Sequence, residues 1–266
     1  MTARPPLSEP DPVGSRSVTA GPGLMQCVIL AGGLGTRMQP VTTKYPKTLI
    51  EVCGRPFAHW QLDFLASQGI TRVLYCLGHL GGQVRDYVED GSRWGVEVDY
   101  VDEGDHLAGT AGALRRALDS GALETTFFVL YGDSYVQLPL RAVQDSFQHR
   151  SEPALMAVFR NEGLWDRSNV VYDGARVTLY DKHADPMPET MVYIDYGVSV
   201  LGAHLVEELV PGGLPFDLAP VYTSLSTSGR LAGFEATSRF YEIGSPGGLD
   251  ELEAHLASSR RSPNRA

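Results

Sequence analysis

The stretch VILAGGLGTRMQPVTTKYPKTLIEV, from Val28 to Val52, begins as an apolar run and continues as a loop that is both glycine-rich and basic. Residues 26–31 (QCVILA) are typical of a central parallel strand. The glycines that follow permit a tight turn and let backbone N–H groups approach an anion closely. A P-loop would need GxxxxGK followed by Ser or Thr, and a dinucleotide fingerprint would need glycine where Met38 stands. The remaining pattern indicates either another type of phosphate-binding loop or an ordinary solvated turn.

Composition limits the classes of protein to which the chain can belong. It has 266 residues, 43% of them apolar, and 22 Lys and Arg against 32 Asp and Glu give a net charge of −10. An acidic surface argues against a nucleic-acid or anionic-membrane partner, so a phosphate site must carry its positive charge locally. No apolar run is long enough to cross a bilayer. The three cysteines are far apart and lie at no zinc-ligand spacing, which favours reduced thiols in a cytoplasmic protein.

Strand and helix patterns alternate along the first half of the chain, whereas the second half is rich in strands. After the first strand we predict helices at 57–69, 81–91 and 109–121 and strands at 71–78, 96–103 and 126–134. Further strands are predicted at 153–159, 169–182, 190–202, 231–236 and 239–243, with helices at 203–209, 216–226 and 246–258. This order indicates an α/β fold with a doubly wound, mostly parallel sheet followed by a strand-rich part.

One continuous domain is predicted over residues 25–258, with a first half at about 25–137 and a second at about 138–258. Residues 1–24 are rich in Pro, Gly and Ser and have no apolar core, so they are expected to form a disordered tail rather than a signal peptide. Residues 259–266 are expected to be a second disordered tail. The sequence leaves a homo-oligomer open.

The run LAGGLGTRMQPVTTKYPK resembles the signature of the sugar-1-phosphate nucleotidylyltransferases and matches it at every fixed position. The motifs GTAGAL, YGDS, YDK and YEIGSP follow in the order that this family has them. These enzymes condense a nucleoside triphosphate with a sugar 1-phosphate and release pyrophosphate. The resemblance therefore implies those two partners and a Rossmann-like, GT-A-like sheet with a strand-rich sugar-binding part. The chain looks most like short guanylyltransferases acting on heptose-, octose- or mannose-type 1-phosphates.

The resemblance assigns the nucleotide to the glycine loop and its neighbours. It implies that Arg37 contacts the β- and γ-phosphates, that Lys47 lies near the α-phosphate, and that Lys44 is a solvated neighbour. The implied nucleotide-binding residues are Leu30, Ala31, Gly32, Gly33, Gly35, Thr36, Glu103, Gly109 and Thr110. Catalysis in such a site is mostly charge neutralisation and positioning, since two anions must meet.

Asp133 is expected at the tip of the strand TFFVLYGDS, and an acid at the carboxyl end of a parallel strand faces the crevice where ligands bind. Its alternative role is the N-cap of a following helix. A triphosphate with hard oxygen ligands implies Mg²⁺, and the resemblance makes Asp133 a catalytic residue and metal ligand. Glu242 stands where the family commonly has an aspartate and is implied as the second metal ligand. The implied sugar-phosphate residues are Lys182, Asn169, Asp195 and Gly197.

The segment YVDEGDHLA precedes GTAGAL and meets the base in relatives. Uracil and thymine would suit an amide such as glutamine, which this segment lacks. Guanine presents two parallel N–H donors that a carboxylate can accept together, and Glu103 and Asp105 supply carboxylates. The sequence therefore predicts GTP as the nucleotide, with an ordinary acidic loop as the alternative.

Three other functions remain as alternatives. One is a uridylyl- or thymidylyltransferase on the same fold. Another is a non-catalytic regulatory relative that binds a nucleotide sugar, against which stands the full charged set of Arg37, Lys47, Asp133 and Lys182. The third is a glycosyltransferase, which would usually have a D-x-D metal motif where this chain has Asp133 followed by Ser134 and Tyr135.

Overall fold

The computed structural model describes residues 23–103 and 107–261. Its strands are β1 (Gln26–Ala31), β2 (Glu51–Val52), β3 (Arg55–Pro56), β4 (Arg72–Leu77), β5 (Glu97–Asp102), β6 (Thr126–Tyr131), β7 (Ser134–Tyr135), β8 (Ala154–Arg160), β9 (Val170–Tyr172), β10 (Val177–Tyr180), β11 (Tyr193–Gly202), β12 (Leu231–Ala236) and β13 (Tyr241–Glu242). Its α-helices are α1 (Phe57–Ser67), α2 (Gly81–Val88), α3 (Gly109–Asp119), α4 (Leu140–Gln148), α5 (Ala203–Leu209), α6 (Leu218–Thr227) and α7 (Pro246–Arg261).

Most of these strands form one mixed sheet with a parallel core. The core order is β6-β1-β4-β5, with every neighbouring pair parallel. Beyond β6 lies β11, which runs antiparallel to both β6 and β8, while β12 extends β8 in parallel and β9 and β10 form an antiparallel hairpin. The α/β class with parallel core strands is therefore confirmed, and the antiparallel pairs belong to the second half of the chain.

The strand order creates a switch point beside β1. From β1 the chain passes through α1 to β4 and β5 on one side, and then returns through α3 to β6 on the other side. In open α/β sheets, ligands bind in the crevice at the carboxyl ends of the strands where the order reverses. The glycine loop leaves the end of β1 and the Asp133 turn leaves the end of β6, so both border this crevice.

Side chains of β1 alternate between the two faces of the sheet because successive residues of a strand point to opposite sides. Cys27 and Ile29 join a core layer that also contains buried residues of α1, α2 and α4. Val28 and Leu30 join the opposite layer with α3, α5 and α6. Burial of both faces explains why β1 is apolar throughout rather than alternating with polar residues.

A smaller apolar cluster joins the basic loop to the C-terminal helix. Met38, Ile50 and Val52 of the loop region pack in one cluster with Leu252 and Leu256 of α7. At the same contact the Cys53 N–H donates a 2.9 Å hydrogen bond to Glu253 Oε1. The segment between the glycine loop and α1 is thus held by the last helix.

Several boundaries differ from the sequence predictions. The strand predicted at 126–134 ends at Tyr131, and Asp133 lies in a turn before the short strand β7. Helix α4 was not predicted, because it has only nine residues and the polar Gln144 occupies one of its three buried positions. Leu24, assigned to the N-terminal tail, is 3% exposed, and α7 runs past the predicted end at 258. The rest of the two predicted tails, residues 1–22 and 262–266, lies outside the described residues.

In residues 23–103 and 107–261, no helix combines the length and the apolar composition needed to span a membrane.

Candidate active site

Two glycines of the loop after β1 occupy positions that a larger residue could not. Gly35 has φ of 60°, and a Cβ there would lie 2.8 Å from Thr42 Cγ2. A Cβ on Gly32 would lie 2.0 Å from Glu103 Oε1, well inside contact distance. Gly33, in contrast, has nothing within 4 Å of the Cβ position. The loop therefore needs glycine at 32 and 35 for its own geometry, while Gly33 faces open space.

Glu103 closes one wall of the site behind Gly32. Its side chain is 4% exposed, and its Oε2 accepts a 2.7 Å hydrogen bond from the Ala108 N–H. Burial raises the pKa of the Glu103 carboxyl, against the opposing effects of the Ala108 N–H and the Arg116 cation. Asp105, the second carboxylate predicted to meet the base, lies outside the described residues.

Lys47 and Asp133 form an ion pair across the crevice. Lys47 Nζ lies 2.8 Å from Asp133 Oδ2, and the two side chains are 17% and 25% exposed. Lys47 reaches this position because Pro46 is extended and a 3₁₀ turn over Lys47–Leu49 follows it. The cation after the glycine loop and the acid after β6 are therefore in direct contact.

Glu242 is held next to Asp133 by a short antiparallel ladder. In the pairing of β7 with β13, Glu242 stands opposite Ser134, and the Ile243 N–H donates to Asp133 O at 3.0 Å. Burial raises the pKa of Glu242 to about 7, and the negative charge of Asp133 adds to the rise. Two carboxylates in this position are a chemically suitable pair for a divalent cation.

Arg37 lies beside this carboxylate pair. A Cβ on Gly244 would come within 3.1 Å of Arg37 Nη2. The positive charge of Arg37 opposes, but does not cancel, the rise in the pKa of Glu242. Lys47 on one side and Arg37 on the other therefore flank Asp133 and Glu242.

Two adjoining cavities contain nearly all of the predicted site residues. The first, here called the glycine-loop cavity, has a volume of about 270 Å³. The predicted residues that line it are Leu30, Ala31, Gly32, Gly33, Lys47, Glu103, Gly109, Thr110 and Asp133. Gly35 and Thr36 do not line it, because Gly35 packs against Thr42 and Thr36 is exposed at the start of a 3₁₀ turn.

The second, here called the distal cavity, has a volume of about 420 Å³ and meets the first at Tyr131 and Asp133. The predicted residues that line it are Arg37, Asp133, Asn169, Lys182, Asp195, Gly197 and Glu242. The structure thus brings together side chains that lie more than 200 residues apart in the sequence.

Backbone contacts fix the polar groups of the distal cavity. Asn169 Oδ1 accepts the Asp195 N–H at 2.9 Å, and Asp195 Oδ1 accepts the Gly197 N–H at 2.9 Å. Burial raises the pKa of Asp195, while the Lys182 cation and the Gly197 N–H act against this rise. Gly197 has φ of 86° at an irregularity in the pairing of β11 with β8, which allows the strand to bend here. Lys182 lies with Nζ 5.9 Å from the centre of the Tyr131 ring.

The first turn of α3 is fixed by the segment before α6. The N–H groups of residues 111 and 112 both donate to Phe216 O at 2.9 Å. The Thr110 hydroxyl accepts the Leu218 N–H at 2.8 Å, and Asp217 Oδ1 in turn accepts from the Thr110 N–H at 3.3 Å. The first turns of α3 and α6 therefore satisfy each other's backbone groups. Gly109 and Thr110 form part of the cavity wall, and the amides of this turn of α3 are already engaged.

Several residues in the two cavities were not predicted from the sequence. Those in the glycine-loop cavity are Thr48, Leu107, Ala113, Tyr131, Gly132 and Asp217, and those in the distal cavity include Asp166, Arg167, His183 and Phe240. Asp217 gives a usable sequence signal, since an acid directly before a helix is a common N-cap. Asp166 and Arg167 lie in a loop whose position depends on the buried Asn161, and nothing local in the sequence indicates it.

No group of three or more His, Cys, Asp and Glu side chains suited to a metal ion occurs within residues 23–103 and 107–261. Asp133 and Glu242 offer two neighbouring carboxylates. Mg²⁺ commonly takes one or two carboxylates and completes its shell with substrate phosphates and water, so this donor set fits it.

Comparisons with known proteins show the family and the fold of the chain. A family model described as nucleotidyl transferase matches residues 26–163. UTP–glucose-1-phosphate uridylyltransferase from Synechocystis sp. is 29% identical over 72% of this chain, and mannose-1-phosphate guanyltransferase beta-B from Xenopus laevis is 26% identical over 84%. This chain spans 57% and 62% of the lengths of those two relatives. The solved structure of HddC from Yersinia pseudotuberculosis complexed with GMP-PN is 21% identical, with a TM-score of 0.71 over 88% of this chain and all of the other.

Proposed function

The chain belongs to the nucleotidyl transferase family, and on that premise we propose that it condenses a nucleoside triphosphate with a sugar 1-phosphate, giving a nucleoside-diphosphate sugar and pyrophosphate. The observation that carries the proposal is the crevice at the ends of β1 and β6. There the glycine loop, Lys47, Arg37 and the carboxylate pair of Asp133 and Glu242 border two adjoining cavities. The glycine-loop cavity is proposed for the nucleotide, with its β- and γ-phosphates extending to Arg37 in the wall of the distal cavity, and the rest of the distal cavity is proposed for the sugar phosphate.

The reaction is an in-line displacement. An oxygen of the sugar phosphate forms a bond to the α-phosphorus, and the bond from that phosphorus to the bridging oxygen of the β-phosphate breaks, so that pyrophosphate leaves. Lys47 neutralises the charge that grows on the α-phosphate, and Arg37 neutralises the departing pyrophosphate. The loop amides after Ala31 hold the remaining phosphate oxygens.

Asp133 and Glu242 would hold the divalent ion, for which Mg²⁺ suits their hard oxygen donors. When bound, such an ion neutralises phosphate charge and screens the two substrates from each other. Lys47 Nζ lies 2.8 Å from Asp133 Oδ2, so an ion held at that oxygen would compete with the Lys47 ammonium.

The distal cavity is proposed as the sugar-phosphate site. Lys182 provides positive charge for the phosphate, while Asn169 and Asp195 present polar groups toward sugar hydroxyls. Gly197 permits a close approach of the sugar to the backbone. The fixed hydrogen bonds of Asn169 and Asp195 keep these groups oriented before the substrate arrives.

Guanine is the proposed base, and Glu103 in the wall of the glycine-loop cavity is its proposed acceptor. Because Glu103 Oε2 already accepts from the Ala108 N–H, contact with both guanine donors requires Oε1 together with the second lone pair of Oε2. A uridylyltransferase is the second candidate, and the 29% identical Synechocystis relative favours it. For the sugar we propose a heptose, octose or mannose-type 1-phosphate, on the resemblance to short guanylyltransferases.

A pyrophosphate-release assay crossing GTP, UTP, dTTP and CTP with glucose, mannose and heptose 1-phosphates tests the proposal. Turnover that requires both a triphosphate and a sugar 1-phosphate is the expected result. Preference for UTP or dTTP over GTP would contradict the guanine assignment alone. Absence of turnover with every pair, in protein that binds triphosphate by calorimetry, would contradict the catalytic proposal and favour a regulatory relative.

A further inference from the structure

Gln61 is a buried glutamine of α1 that lies behind the Asp133 turn. It is 2% exposed and sits on the helix stripe that also buries Ala58, Leu62 and Leu65. An apolar side chain would satisfy packing at such a position, and burying an amide there carries a desolvation cost. A buried glutamine at this position therefore suggests that its amide makes hydrogen bonds that an apolar side chain could not make.

Its partners are the two carbonyls on either side of Asp133. Gln61 Nε2 donates to Tyr131 O at 2.9 Å and to Ser134 O at 3.1 Å. Since both partners are acceptors, they fix the orientation of the amide, with its nitrogen toward the turn. No hydrogen-bond donor in the described part of the chain reaches Gln61 Oε1, so half of the amide is left unsatisfied. The hydrogen bonds to the turn are made at that cost.

The other contacts that hold the turn come from the backbone. The Gly132 N–H donates to Leu30 O at 2.9 Å, and the Ile243 N–H donates to Asp133 O at 3.0 Å. A Cβ on Gly132 would lie 2.8 Å from Leu30 O, so the turn presses directly on β1. Gln61 adds a two-point side-chain clamp to this arrangement, and it spans the residue whose carboxylate faces the crevice.

From this geometry we propose that Gln61 is a positioning residue, which fixes the backbone on both sides of Asp133 and so orients its carboxylate for a divalent cation and for Lys47. The inference rests on the proposed function through the role of Asp133. Partners that orient a metal-binding carboxylate change metal affinity or activity by about 10–100-fold when they are removed. Gln61 touches no substrate site, since it lines neither cavity.

The test compares Gln61→Met with Gln144→Met. Methionine keeps nearly the length of glutamine and removes its hydrogen bonds. Gln144 is a matched control, because it is 1% exposed and its amide also joins two backbone groups, at Met25 N and Gly23 O, near the start of β1. Both variants lose a buried amide, and only the first loses contact with the Asp133 turn.

The readout is Mn²⁺ affinity of the full chain, measured by the electron paramagnetic resonance signal of free Mn²⁺ with and without GTP, alongside thermal unfolding. We expect Gln61→Met to weaken Mn²⁺ binding by at least about tenfold and Gln144→Met to leave it within about twofold. If Gln61→Met fails to fold, Gln61→Leu provides the same loss of hydrogen bonds with a shorter side chain.

Equal Mn²⁺ affinity in the Gln61 variant and the wild type, or equal losses in both glutamine variants, would overturn the inference. The proposed function is tested separately by the pyrophosphate assay of the wild type. A wild type without turnover would contradict that function while the Mn²⁺ comparison still decides the role of Gln61.

Discussion

Replacement of Lys47 by methionine should separate two roles of one ammonium group. The Lys47 ammonium lies 2.8 Å from Asp133 Oδ2 and lines the glycine-loop cavity. Loss of one transition-state donor typically lowers turnover by about 10²–10³, or about 2.7–4 kcal/mol. Lys47→Met should show a loss of that size in pyrophosphate release at saturating substrates.

The same change should act in the opposite direction on cation binding to the free protein. Without Lys47, no other ion pair with Asp133 remains among the described residues, so Mn²⁺ no longer competes with an ammonium for this carboxylate. We therefore expect Mn²⁺ to bind Lys47→Met at least as tightly as the wild type. The free energy of unfolding should fall by only about 1 kcal/mol. The Lys47 and Asp133 side chains are 17% and 25% exposed, so Asp133 can be hydrated once Lys47 is replaced.

Lys44→Met is the matched control. Lys44 is an exposed lysine in the same loop, and its described hydrogen bonds are made by its backbone: the N–H donates to Val41 O, and the carbonyl accepts from Gln83 Nε2. The control should retain turnover within about twofold, since exposed charges at a distance are screened. Near-normal turnover in Lys47→Met, or equal losses in both lysine variants, would refute the assignment of Lys47 to the α-phosphate.

Arg37→Ala should lower turnover by about 10²–10³, measured by pyrophosphate release, and near-normal turnover would show that the loop is misassigned. Glu242→Asp should keep or improve activity because the carboxylate remains, whereas Glu242→Gln should raise the Mg²⁺ concentration needed for half-maximal activity by about 10–100-fold. Collapse of the aspartate variant would point to another role. Gly32→Ala places a methyl group 2.0 Å from Glu103 Oε1. It should weaken triphosphate binding in calorimetry by about 10²-fold, and more than Gly33→Ala, which meets nothing within 4 Å.

The sequence was most informative where local chemistry and strand order agree. An apolar strand followed by a glycine loop is typical of a central strand in a parallel sheet. An acid that follows a second such strand lies at the same edge of the sheet, where the strands have their carboxyl ends. For this reason Lys47 and Asp133, 86 positions apart in the sequence, could be placed in one crevice. The parallel core and the two cavities follow from that order.

Other parts of the site depend on contacts that no local pattern records. The resemblance paired Glu242 with Asp133, whereas the ladder of two residue pairs that joins β13 to β7 is too short for the sequence to indicate its partner strand. In the sequence, Gln61 looks like any polar residue of a helix, because the two carbonyls that it contacts belong to β6 and β7. Arg239 Cζ lies 3.7 Å from the centre of the Trp165 ring, and this contact joins two segments that are more than 70 residues apart in the sequence.

The apolar contact between the basic loop and α7 joins two segments that leave the ribosome at different times. The first half of a chain generally begins to fold before the second has emerged. Here Met38, Ile50 and Val52 pack with Leu252 and Leu256, so the segment after the glycine loop acquires this apolar support only after α7 has been synthesised. A nascent chain that has completed its parallel strands would still lack this contact.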